Sequence, residues 1–256
     1  TTVLKAIIEV YKALYPKEKI KLAAPTGRAS RRMAESTGET DASTFHSMLG
    51  LQNEDGYFKK DKEFEPIGAG LIIVDESSMI DMWLARQFFM RIGNNTKIVL
   101  VGDPDQLQSV GAGDVFRQLI NSGLIPVTVL DKIFRQKDGS RIALNARAIN
   151  NDQTKLSYGD DFCFYKCQTQ DQAADIIKRT FCDLTEKYGI ENVQILSPYR
   201  KKGAAAANEL NLAIREIVNP YKGGLPDLRI GADYFRVGDK VMQNKNNSKA
   251  SNGDIG

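Results

Sequence analysis

Residues Leu71-Ile72-Ile73-Val74 run without a polar break into Asp75-Glu76-Ser77-Ser78-Met79. An apolar run this short and continuous reads as a strand buried on both faces, the kind found inside a parallel sheet flanked by helices. Carboxylates at the C-terminal end of such a strand face the crevice where open α/β sheets bind their ligands. In a nucleotide-hydrolysing site the two acids have separate tasks. Asp75 is the candidate to hold Mg²⁺ through water, and Glu76 to polarise the attacking water. The competing reading is a strand end followed by an ordinary helix, with Ser77 or Ser78 as its N-cap. The flanking sequence has to decide between them.

Two more strand-to-loop junctions, with a further polar motif between them, are present. Ile20 to Ala24 reads as a strand that stops at Pro25-Thr26-Gly27-Arg28 and opens into a helix over Ala29 to Ser36. Gly27 and the helix N-terminus there make a phosphate seat beside Arg28, Arg31 and Arg32. A solvated basic helix is the plainer alternative. Ser43-Thr44-Phe45-His46 follows a polar loop and contains the single histidine, which lacks metal-type spacing. Thr44 and His46 are candidates for lining a strand-binding groove. Lys97 to Val101 reads as another buried strand, ending in Gly102-Asp103-Pro104-Asp105-Gln106-Leu107. Gln106 carries an amide able to meet a γ-phosphate or the attacking water; a plain turn is the alternative.

Downstream, Asp81 reads as the cap of a helix to about Arg91, and Val110 to Asp114 as a turn into helix 114–122. Val127 to Leu130 reads as a strand followed by Phe134-Arg135-Gln136, where Arg135 is either an arginine finger or a surface ion-pair partner. Helix 139–150 follows. Residues 151 to 161 are polar and turn-rich, so the domain boundary is placed at 150/151. Beyond it a second α/β series is expected: Phe162 to Tyr165, helix 170–188, strand Val193 to Leu196, the basic loop Ser197-Pro198-Tyr199-Arg200-Lys201-Lys202-Gly203, and helix 204–217. Val237 to Met242 reads as a turn entering a strand. Residues 52 to 68 read as a surface loop or hairpin. The helical stripe from Thr2 to Leu14 has no cap before it, which predicts that the sequence starts inside a longer protein.

Composition limits the partners. The 256 residues carry a net charge of only +3, so any contact with nucleic acid must be local rather than global. Cys163, Cys167 and Cys182 are odd in number and form no CxxC, which argues against a disulfide framework or zinc site and for a reducing cytoplasm. No apolar run is long enough to span a bilayer, and no membrane partner is expected.

Taken together, Ala24-Pro25-Thr26-Gly27-Arg28-Ala29, Thr44-Phe45-His46, Val74-Asp75-Glu76-Ser77-Ser78-Met79, Gly102-Asp103-Pro104-Asp105-Gln106-Leu107 and Phe134-Arg135-Gln136 stand in the order of successive superfamily 1 DNA helicase motifs. The sequence resembles the RecD-like branch in particular, that of the exodeoxyribonuclease V alpha chain and its stand-alone relatives. Ser197-Pro198, Gly203, Asn208, Leu210-Asn211, Asn219-Pro220, Val237 to Gln243 and Asn252 to Gly256 look like that branch's second motor domain.

The resemblance implies a P-loop NTPase fold of RecA-like parallel sheets flanked by helices, in two motor domains. Residues 1–150 would form the first, and 151–256 the start of an incomplete second, up to the edge of an inserted domain. It implies ATP and Mg²⁺ as cofactors, single-stranded DNA as partner, and 5′–3′ movement in recombination and repair. Other exodeoxyribonuclease V subunits would be further partners. Asp75 would hold Mg²⁺, Glu76 would be the catalytic base, Gln106 would sense the γ-phosphate and Arg135 would contact it. Pro25, Thr26, Gly27, Arg28, Thr44 and His46 would line the DNA path, with Ser197, Pro198 and Arg200 as the second grip.

The departures are informative. The glycine-rich phosphate loop is absent, and Thr1 falls where its closing Ser/Thr, a nucleotide and Mg²⁺ ligand, would lie. Gln108 replaces an expected proline, and Asn246 to Ser251 is shorter than the resemblance implies. The residues given are therefore expected to be inactive alone. Two alternatives stay open: a non-catalytic DNA-binding or scaffold module of degenerate ATPase fold, and the helicase region of a conjugative relaxase.

Overall fold

The structure, a computed structural model, describes residues 2–39, 41–51, 66–130, 140–224, 227–231, 233–243 and 254–256. The chain divides into two compact units. The first comprises residues 1–133 and 243–254, the second residues 134–242 and 255–256.

The first unit is built on a four-stranded sheet in the order β2-β1-β3-β4, with β1 Ile20–Ala24, β2 Ala42–Thr44, β3 Leu71–Val74 and β4 Lys97–Leu100. Every neighbouring pair is parallel. β3 is buried along its whole length, with Ile72, Ile73 and Val74 at 0% exposure, which is why its sequence shows no polar alternation. Helices cover both faces. Leu4, Ile8 and Tyr11 of α1 (Thr2–Leu14) and Met33 of α2 (Gly27–Thr37) pack with Leu22, Leu71 and Ile73. Leu84, Ala85 and Phe88 of α4 (Met82–Phe89) pack on the other face with Ile72 and Val74. Phe45, in the one-turn helix α3 (Phe45–Met48), joins them there.

The aromatic pair Phe45–Phe88 lies at the centre of that second face, ring centroids 5.1 Å apart and both residues 1% exposed. Phe88→Ala is expected to destabilise this unit by about 3–5 kcal/mol through lost burial and a residual cavity. Urea denaturation of the full-length protein checks this.

At the N-terminal edge of the sheet, Tyr11 donates a hydrogen bond to the Glu18 carboxylate. Gly70 leaves room for this pair, since a Cβ there would run into Glu18 and the Tyr11 hydroxyl. Burial and the neighbouring Glu18 carboxylate push the Tyr11 phenol up to about 12.

Helix boundaries differ from the sequence expectation by the capping chemistry. Thr26 caps α2, its hydroxyl accepting from Ala29 N at 3.2 Å, so α2 begins at Gly27 rather than Ala29. Gly38 at φ +76° closes it. Asp81 caps α4 as expected, accepting from Leu84 N at 2.7 Å. Neither Ser77 nor Ser78 caps a helix. They open a short 3-10 turn, Ser77–Met79, and the Ser77 hydroxyl donates back to Val74 O at 2.9 Å.

Val127 to Leu130, expected as a strand, pairs with nothing among the described residues and lies exposed, Val129 at 79% and Leu130 at 70%. An apolar run becomes a strand only when a neighbour takes up its backbone groups. The same correction applies to Val193–Leu196 and Phe162–Tyr165 in the second unit. In those two stretches the described residues show only an isolated Gly159–Phe162 bridge. Residues 52–65 of the expected surface loop or hairpin lie outside the described residues.

The second unit contains α6 Arg141–Asn150, α7 Gln170–Tyr188, α8 Ala207–Val218 and the antiparallel pair β5 Leu228–Ile230 and β6 Asp233–Phe235. α5 (Val115–Asn121) belongs to the first unit. Ala174 and Phe181 of α7 pack against Leu210 and Ile214 of α8.

An ionic hub then ties α8 to the β5–β6 hairpin. Arg236 donates to Asp227 at 2.9 and 3.0 Å, to Glu216 at 3.1 Å and to Asn219 O at 2.6 Å. The side-chain hydrogen bond from Arg236 holds the Asp227 carboxyl below the usual carboxylate range. A depressed carboxyl stabilises the folded state above its unfolded pKa, and that contribution disappears as pH falls through the folded pKa. Arg236→Ala is therefore expected to lower the urea midpoint at neutral pH, with the gap to wild type closing under acid. Denaturation at neutral pH and below the carboxylate range checks it.

Candidate nucleotide and nucleic-acid site

Parallel pairing brings four strand tips to one edge. The register sets Ala24 beside Thr44, Ala23 beside Val74, and Val74 beside Leu100. Pro25-Thr26-Gly27, Phe45-His46, Asp75-Glu76 and Gly102-Asp103 therefore leave the sheet at the same end. Chain order turns back between β1 and β3, since β2 lies on one side of β1 and β3 and β4 on the other. A crevice at such a reversal is the expected ligand site of an open α/β sheet.

The acidic tip is held tightly. Asp75 N continues the ladder to Ala23 O at 2.9 Å. One oxygen of Asp75 accepts from Glu76 N at 2.9 Å. Glu76 adopts the left-handed conformation, φ +51° and ψ +41°. A non-glycine residue there costs on the order of 1–3 kcal/mol and persists only where its surroundings impose it. Those surroundings are on both sides: Met79 N reaches Glu76 O at 3.1 Å, and Ser77 N reaches Val101 O at 2.8 Å. Both carboxylates are half-buried rather than sealed in the core.

Gly102 fits against this turn. A Cβ on it would lie 3.1 Å from Ser77 N, 3.2 Å from Ser78 N and 3.1 Å from the Phe116 ring, so a larger residue would push the two loops apart by a few tenths of an ångström. Asp103 then folds the next residues. Its carboxylate accepts from Asp105 N at 3.0 Å and from the Gln106 amide at 3.2 Å. Gln106 is exposed, and its side chain is held by Asp103. The sequence reading named Gly102 and Asp103 within the motif and offered a plain turn there, without giving either residue a role of its own. The signal for Asp103 was present, since an Asp two residues before a backbone N–H forms an Asx turn.

At the β1 and β2 tips, Thr26 and Thr44 spend their hydroxyls on caps, Thr44 accepting from Ser47 N at 3.1 Å. Phe45 is the core anchor between them and leaves His46 half-buried at the edge. Pro25 is half-buried and Arg28 exposed, and the N–H groups of Gly27 and Arg28 precede the first bonded N–H of α2. Nη1 of Arg31, on α2, donates to both carboxylate oxygens of Asp254 at 2.9 Å.

Ser197, Pro198 and Arg200 belong to the second unit. Ser197 donates to Ala205 O at 2.8 Å, and Asn208 N binds Arg200 O at 3.1 Å, so the basic loop is pinned to the start of α8 with Pro198 and Arg200 exposed. Thr1 and Arg135 lie outside the described residues.

For a divalent cation, the donor set is sparse. No group of three or more His, Cys, Asp or Glu side chains could enclose a metal among the described residues. A single aspartate at a crevice suits Mg²⁺, which keeps most of its waters and takes one or two carboxylates plus substrate phosphates. Asp75 fits that requirement. No described helix is long and apolar enough to cross a membrane.

A family model described as an AAA domain matches residues 1–168. The ATP-dependent RecD2 DNA helicase of Deinococcus radiodurans is 32% identical over 258 residues, covering 100% of this chain and 34% of that protein. The RecBCD enzyme subunit RecD of Buchnera aphidicola is 25% identical over 329 residues, covering 100% of this chain and 54% of that one. The chain thus spans between a third and about half of these curated relatives. A crystal structure of a Pif1 helicase from Bacteroides aligns with a TM-score of 0.43 at 21% identity, over 99% of this chain and 61% of that chain.

Proposed function

The chain belongs to the AAA-domain family, whose model it matches over residues 1–168, and from that premise we propose that it is part of an ATP-dependent DNA helicase or translocase of the RecD-like kind. The observation that carries this reading is the contact between the Asp75-Glu76 turn and the Gly102–Gln106 loop at the C-terminal edge of a parallel sheet. The similarity to RecD2 and RecD proteins along the whole chain supports it.

In this reading the sheet edge is divided by strand order. The β3 and β4 tips serve the nucleotide. Asp75 would hold Mg²⁺, which would supply positive charge beside the phosphates. Glu76 accepts the proton of the water that attacks the γ-phosphorus. Gln106 leaves Asp103 to meet the γ-phosphate or that water, and so registers whether the triphosphate is intact. Thr1 and Arg135 complete the phosphate contacts. The β1 and β2 tips serve the nucleic acid. Pro25, Thr26, Gly27, Arg28, Thr44 and His46 face a single strand, with Gly27 and Arg28 offering N–H groups and a cation to its phosphates.

Ser197, Pro198 and Arg200 supply a second grip from a second motor domain, of which residues 151–256 are the start. Movement is 5′–3′, the setting is recombination and repair in the cytoplasm, and other exodeoxyribonuclease V subunits are candidate partners. The test is ATP hydrolysis by the full-length protein with and without single-stranded DNA, alongside unwinding of a duplex with a 5′ tail. DNA-stimulated turnover is expected. DNA binding without any turnover would point instead to a non-catalytic module.

A further inference from the structure

We propose that Arg117 is a positioning residue for ATP hydrolysis, fixing the loop that carries Gln106 against the turn that carries Glu76. The inference rests on the roles given to Gln106 and Glu76 under the proposed function.

Arg117 lies on α5, next to the buried Phe116. Its guanidinium donates to Pro104 O, reaches Asp105 at 3.8 Å, and donates through Nε to Asp114 at 2.9 Å. It therefore joins the middle of the Gly102–Leu107 loop to the residue that caps α5. Phe116 meets the start of the same loop, where Gly102 presses on the Ser77 and Ser78 amides. Two adjacent residues of one helix thus brace the loop at its start and at its middle. Among the described residues, the Asp103–Gln106 turn has, apart from Arg117, only its own short-range hydrogen bonds.

The brace continues beyond Arg117. Asp114 also accepts from Gln108 at 2.9 Å, and the Ser109 hydroxyl bonds Gly111 O and Gly113 O at 3.0 Å each. Ala112 O in turn accepts from Met82 N at 2.9 Å, at the first residue of α4. α4 begins three residues after the Glu76 turn, Ser77–Met79, ends. Gln106 and Glu76 are therefore joined twice, once through Gly102 and once around Arg117, Asp114 and Met82. A planar fork with several fixed donors suits this task. An ammonium in the same place puts all its donors on one nitrogen and lacks the fork that here reaches Pro104 O and Asp114 from separate nitrogens.

The test uses the full-length protein with saturating single-stranded DNA. Arg117→Ala is expected to lower kcat by about tenfold or more, as small misplacements of reacting groups do, with the KM for ATP and the affinity for single-stranded DNA little changed. Arg117→Lys keeps the aliphatic stem and the charge beside Asp114, so it tests the fork separately from the charge and the packing of the stem. It is expected to recover little of kcat. A kcat near wild type in either variant overturns the proposal. So does a loss of kcat in proportion to DNA affinity and melting temperature, the pattern of a purely structural contact. Glu76→Gln is run in parallel. If that variant turns over ATP normally, the hydrolysis reading itself fails; if it is dead while Arg117→Ala is active, only the role of Arg117 falls.

Discussion

In the full-length protein, Glu76→Gln is expected to reduce DNA-stimulated ATP turnover by about 10³-fold, the scale of a lost general base, while ATP binding persists. Glutamine has the same shape, so it occupies the same pocket. The left-handed backbone at residue 76 is fixed by contacts of main-chain atoms, Met79 N to Glu76 O and Ser77 N to Val101 O, which the substitution leaves in place. Only the carboxylate, and with it the capacity to accept a proton, is lost. Steady-state hydrolysis and the binding of a fluorescent ATP analogue measure the two quantities separately. Turnover at the wild-type rate would remove Glu76 from the mechanism. Loss of nucleotide binding together with turnover would mean that the carboxylate acts on the ground state.

The conformation of Glu76 also shows how much of the site was open to reading from residues alone. Leu71 to Val74 declared its own burial, because no polar residue interrupts it and β3 lies inside the sheet. Parallel order then follows from strand tips that each end in a turn signal. The helix caps were equally local: Asp81 was anticipated, whereas Thr26 and Thr44 were singled out for nucleic acid while their hydroxyls close helix termini.

What the sequence concealed is long-range. Val127 to Leu130 has the composition of a strand, but strand state depends on a partner that composition does not specify. Gly102 reads as one more turn glycine, and the tight fit around it appears only when Ser77 and Ser78 arrive against it from another strand. Arg117 reads as an i,i+3 partner of Asp114, which it is, yet the contact with Pro104 crosses thirteen residues and has no local signature.

Arg135→Ala is expected to slow hydrolysis by about 10³-fold or more, the scale of an arginine finger, while binding to single-stranded DNA survives. Its position after Phe134 and before Gln136 in the sequence, and the charge it would bring to the γ-phosphate, are the grounds for the expectation. Arginine presents a planar fork that matches phosphoryl oxygens as the transferred group gathers charge, and alanine leaves that charge uncompensated. A lysine at the same place restores the charge without the fork, so Arg135→Lys is expected to stay well below wild type. The decisive measurement combines this substitution with the first. Residues that act as a unit on one step are strongly non-additive, so Glu76→Gln with Arg135→Ala is expected to be scarcely slower than the worse single variant. Two losses that simply multiply would place the residues in separate steps. An equal loss of DNA binding in Arg135→Ala would assign the arginine to the fold instead of the phosphate.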